Sequence, residues 1–64
     1  MSFEVRLGAL GPLVIDAPDA QRAAIAAANE QRLRQDVLAI VTGPDGAVSR
    51  WTVRHVEYHY ARPA

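Results

Sequence analysis

Cysteine is absent from this 64-residue chain, which excludes disulfides and thiolate metal sites and removes two devices that commonly hold very short chains together. An excess of charge of either sign is absent too: seven arginines balance seven acidic residues, with no lysine. The chain therefore lacks the broad cationic surface that holds phosphate backbones by counterion release, and nucleic acid is disfavoured as a partner. No apolar run approaches membrane-spanning length. The N-terminus opens on a strand-like pattern instead of a charged stretch followed by an apolar one, so the expectation is a cytoplasmic protein without membrane contact. Arginine-only usage beside abundant alanine reads as the codon bias of a GC-rich genome before it reads as a device for bidentate recognition.

What is present fits one small domain spanning residues 1–64. A core of this size supplies only a few kcal/mol of net stability, so association with another chain is the expected source of further support. From residue 3 to residue 8 apolar and polar side chains alternate, placing Phe3, Val5 and Leu7 on one face and Glu4 and Arg6 on the other, the period of a half-buried strand. "GALGP" then reverses the chain into a second strand at "LVI".

"DAPDAQ" reads as a helix start, with Asp16 as the cap, Pro18 in the first turn and Asp19 at the positive dipole end. The pattern carries the helix to about Gln35. Ala20, Ala23, Ala24, Ala27 and Ala28 form a nearly flat face of small side chains, which buries little area but lets another backbone approach closely; the chain's own sheet is the expected neighbour. "DVLAIVT" is a short continuous apolar run rich in β-branched residues and reads as a central strand buried on both faces. "GPDG" fits a type I turn closed by a glycine bulge, with Pro44 and Asp45 at its centre and Gly46 at positive φ. The expected fold is an α+β domain ordered ββαββ, or βαββ if "GALGP" only bends, with one helix across one face of a three- to four-stranded sheet.

The last strand, over residues 47–60, changes sidedness. Trp51, Val53, His55, Glu57 and His59 share one face, while Arg50, Thr52, Arg54, Val56, Tyr58 and Tyr60 share the other. Apolar side chains dominate the first face early and the second face late. Either a β-bulge near Arg54 and His55 restores one face, or the outer half of the strand lays its rings against a partner. Tyrosine and tryptophan combine a large apolar body with a polar tip and suit interfaces. Trp51, Val56, Tyr58 and Tyr60 are therefore the candidate interface anchors, with Arg50 and Arg54 as their rim.

Catalytic chemistry finds little support. Neither serine has a recognisable base, and "GALG" joins strand to strand without the lysine or helix of a phosphate cradle. In "HVEYH" the residues His55, Glu57 and His59 suggest a metal. Along one strand, however, the histidines would stand about 13 Å apart, too far to share an ion. No metal, cofactor or enzyme activity is implied. The expectation is a non-enzymatic protein-interaction module, a homodimer through its C-terminal aromatic strand, with a larger protein as a second class of partner in the manner of phage or mobile-element regulators and inhibitors. The competing expectation is a single-strand nucleic-acid platform formed by Arg50, Arg54, Tyr58, Tyr60 and Arg62.

Overall fold

The alternation at the N-terminus becomes strand β1 (Ser2–Leu7), which buries Phe3, Val5 and Leu7 and exposes the residues between them. A tight reversal brings Leu10 opposite Leu7 and starts β2 (Leu10–Asp16) as its antiparallel partner. The computed structural model describes residues 1–55 and 59–64. Within them, helix α1 (Ala20–Glu30) is followed by β3 (Val37–Thr42), β4 (Val48–His55) and β5 (His59–Pro63). The strands form one five-stranded sheet in the order β2-β1-β3-β4-β5, every neighbouring pair antiparallel.

The expected flat helix face packs on this sheet. Ala23, Ala24, Ala27 and Ala28 are fully buried against a core built from Phe3, Val5, Leu7, Ile15, Val41 and Val53, with Ile25 and Leu33 packed at its margin. The expected turn is also present. Gly46 N–H donates to the Gly43 carbonyl at 3.0 Å, and Gly46 holds φ at 85°, a region that favours glycine. Asp45 Oδ1 accepts from Ala47 N–H at 3.1 Å and braces the turn.

The helix limits differ from expectation at both ends. Its cap is Asp19, whose Oδ1 accepts from Arg22 N–H at 2.8 Å; Asp16 instead closes β2 opposite Ser2 and pairs with the N-terminal ammonium at 3.0 Å. Strand pairing thus claims Asp16 before the helix can. The helix also stops at Glu30 and not near Gln35. Arg32 takes φ 54°, and Leu33 N–H reaches back to the Ala28 carbonyl at 3.2 Å. This six-to-one bond is the Schellman ending, in which satisfying the last carbonyls wins over continued helical propensity.

The closing segment holds the main correction. Residues 47–60 do not form one long strand: β4 and β5 are antiparallel neighbours, so the chain reverses between His55 and His59 and the sheet has five strands instead of three or four. The sequence order is ββαβββ. The change of sidedness is resolved by this reversal, with neither the proposed bulge nor a strand running past its core. Trp51, Val53 and Ala61 lie on the helix-covered side, whereas Arg54 and Tyr60 form a cross-strand pair on the other.

A second correction concerns β3. It is the central strand, as expected, but only one of its faces is buried: Ala39 and Val41 are sealed under the helix while Leu38 is 44% exposed. A single helix covers a single face, so the other side of a central strand stays open even when its residues are apolar.

Candidate interaction surface

The side of the sheet facing away from α1 can be read from the register in rows. Val14 aligns with Glu4, Glu4 with Thr42 and Thr42 with Val48. In the next row Arg6 aligns with Ile40, and Ile40 with Arg50. Beyond it Leu38 aligns with Thr52 and Thr52 with Arg62, and the last row is Arg54 opposite Tyr60. Aligned side chains on one face lie about 5 Å apart, so these rows form one continuous surface. Its aliphatic centre is Leu38 and Ile40 on the central strand β3, with Leu38 44% exposed; Val14 and Val48 in the first row are 77% and 62% exposed, with Glu4 and Thr42 between them.

Arginines surround that centre. Arg54 Nε meets Asp36 Oδ2 at 3.2 Å, an exposed pair of the kind worth at most about 1 kcal/mol. Arg6, Arg50 and Arg62 form no ion pair among the described residues. Glu4 is the one carboxylate inside the rows, since Asp16 lies at the corner against the N-terminal ammonium. The surface is thus apolar at its middle and positive around it.

The β5 edge of the sheet is less available. Ala64 N–H donates to the Arg50 carbonyl at 3.0 Å; in this register the outer edge of β5 carries the backbone groups of His59, Ala61 and Pro63. Gln21 Nε2, reaching down from the helix, donates to the Ala61 carbonyl at 2.9 Å, and Pro63 has no N–H to offer. Both features oppose strand addition at that edge.

On the helix-covered side, His55 and His59 meet with ring centroids 4.6 Å apart. The expectation that they stand too far apart for a common contact is therefore wrong: it assumed one continuous strand, whereas the hairpin makes them direct cross-strand partners. Both nitrogens of His59 are engaged, Nδ1 with Asn29 Oδ1 and Nε2 with the Leu33 carbonyl oxygen at 2.6 Å. A neutral imidazole has one N–H, so this arrangement takes either an imidazolium or an Asn29 amide turned to donate. His55 Nδ1 is buried with no hydrogen-bond partner among the described residues. No group of three or more metal-ligating side chains occurs among those residues. Engaged as it is, His59 serves to hold the helix exit against β5.

Of the sequence-derived interface residues, Arg50, Arg54 and Tyr60 come together on the uncovered face. Trp51 lies opposite them, half-buried at the core margin, its Nε1 donating to Ser49 Oγ at 2.9 Å. Val56 and Tyr58, like Glu57, lie outside the described residues. Sequence reasoning missed Val14, Leu38, Ile40 and Val48. For Leu38 and Ile40 the signal was present in the "DVLAIVT" run, but an apolar run states only that both faces are apolar and not that both are covered.

Two shallow depressions occur at one corner of the sheet, about 230 and 380 Å³ in volume. Glu4 is the only ionisable side chain lining the first, and Asp45 the only one lining the second. Neither brings together the acid and base that proton-transfer catalysis requires. Among the described residues no helix is long and apolar enough to cross a membrane. No protein-family model, curated protein or solved structure matches this chain.

Proposed function

We propose that this chain is a non-enzymatic protein-interaction module whose contact surface is the sheet face turned away from α1. The observation that carries this reading is the exposure of Val14, Leu38 and Val48 on one face of the sheet, with no second layer over it among the described residues. Exposed aliphatic side chains set among arginines are what docking surfaces present before a partner covers them. The C-terminal hairpin contributes Arg50, Arg54, Tyr60 and Arg62 to this surface; it shares the contact with β1, β2 and β3. A regulator or inhibitor that docks on a larger protein fits this arrangement.

The test is copurification from the native host, comparing the wild-type chain with Leu38→Glu/Val48→Glu on the uncovered face and Arg22→Glu on the exposed helix side. Light scattering of each purified chain reads self-association separately. The proposal expects every association, with itself or with another protein, to disappear in the face variant and survive in the helix variant. Association abolished by Arg22→Glu and untouched by the face variant contradicts it.

A further inference from the structure

We infer that the occupant of the uncovered face is a different protein with an acidic surface around an aliphatic centre, and not a second copy of this chain. This rests on the reading of the sheet face as the docking surface. Three observations select the occupant.

The first is charge. Arg6 and Arg50 flank Ile40 in the middle row, and Arg62 ends the next, while Glu4 is the one uncommitted carboxylate within the rows. Two copies stacked face to face about a two-fold axis would bring these rows together. Such a dimer would desolvate three guanidinium groups per copy with one carboxylate per copy to offset them, and a desolvated charge left without a partner is strongly unfavourable. A partner carrying carboxylates meets each of the three arginines with an opposite charge, in the two-pronged geometry that suits arginine.

The second is extent. A stable interface covers about 800 Å² per partner, and the chain exposes 4219 Å² in total, so such a contact takes roughly a fifth of the surface. That area spans the arginine rows as well as the aliphatic centre. The charges cannot be left outside the contact.

The third is the chemistry of the apolar side chains. Leu38 and Ile40 at the centre and Val14 and Val48 in the first row are aliphatic, and Tyr60 is the one aromatic side chain on this face among the described residues. Bases bind by stacking on rings, whereas branched aliphatic side chains complement the apolar side chains of a protein. The zero net charge points the same way, since it gives a nucleic acid little long-range attraction.

The experiment uses the full chain labelled with ¹⁵N and three probes: an amphipathic helical peptide with a leucine stripe bordered by glutamates, the same peptide with lysine for each glutamate, and a twelve-residue oligothymidylate. Sedimentation of the same samples reads self-association. The acidic peptide is expected to shift the signals of Arg6, Leu38, Ile40 and Arg50 and to bind at least tenfold more tightly than the lysine peptide. Arg6→Glu/Arg50→Glu is expected to reverse that preference, with Arg6→Gln/Arg50→Gln as a milder pair should the first fold poorly. Equal binding of both peptides, or tighter binding of the oligonucleotide on these residues, overturns the inference. A dimer that buries the face overturns it too, while leaving the face as an interaction surface. A monomer whose face responds to no probe removes both.

Discussion

His59 stands opposite His55 across the final hairpin, the two rings 4.6 Å apart, and ties that hairpin to the end of the helix through Asn29 and the Leu33 carbonyl. One side chain thus joins two segments that are distant in sequence, the final hairpin and the helix exit. In a chain without disulfides, such a joint sets where the helix ends and where the last strand lies.

The two histidines are expected to respond to substitution with opposite sign. His59→Ala removes both ring hydrogen bonds and is predicted to cost about 1–2 kcal/mol, lowering Tm by roughly 4–8 °C per kcal/mol. His55→Leu removes a buried nitrogen that has no partner among the described residues and is predicted to leave stability unchanged or raise it. Thermal unfolding followed by circular dichroism checks both; equal losses would show that ring contact, and not hydrogen bonding, is the source of the stabilisation.

The alanine face leaves no room for larger side chains. Ala24 and Ala27 are fully buried between helix and sheet. Leu at either position is predicted to destabilise by about 1–3 kcal/mol through overpacking, whereas Ala26→Leu at the partly buried margin costs less. Urea unfolding of the three variants gives the ranking. Identical values at all three positions would mean that the helix is held loosely.

Arg32 offers a gain. Its left-handed φ of 54° ends the helix at a position where glycine carries no Cβ penalty. Arg32→Gly is predicted to stabilise the domain by about 0.5–1 kcal/mol, read as a rise in the urea midpoint at unchanged slope.

Gly11 and Gly46 separate backbone strain from collision. Both have positive φ, 116° and 85°, but a Cβ on Gly11 would lie 2.9 Å from the Val5 carbonyl oxygen, whereas one on Gly46 meets nothing within 4 Å. Gly46→Ala is predicted to cost about 1 kcal/mol from strain alone, and Gly11→Ala more, because backbone must also move. Comparing their urea midpoints checks the order.

Much of this fold was legible in local patterns. The alternation of Phe3, Val5 and Leu7, the small face of α1 and the Gly43–Gly46 turn each depend on neighbours a few residues away, and short-range periodicity encodes them. What escaped depends on contacts between distant segments. Nothing local distinguishes a strand that changes sides from two strands that reverse, so His55 and His59 were separated on paper and are adjacent in space. The grouping of Arg50, Arg54 and Tyr60 survived that error. Paired positions in β4 and β5 have an even sum, as in Arg54 with Tyr60, so the reversal keeps even-numbered residues on one face. Leu38 and Ile40 were visible as apolar, but the number of layers over a sheet is a property of the whole domain.

The most direct test of the uncovered face is a methyl NMR spectrum of the dilute chain with a water-soluble paramagnetic agent. The methyl groups of Val14, Leu38 and Val48 are predicted to broaden strongly, while those of Val5, Val41 and Val53 stay sharp. Equal protection of both sets at low micromolar concentration would mean that the protomer covers this face by itself, and would contradict the account.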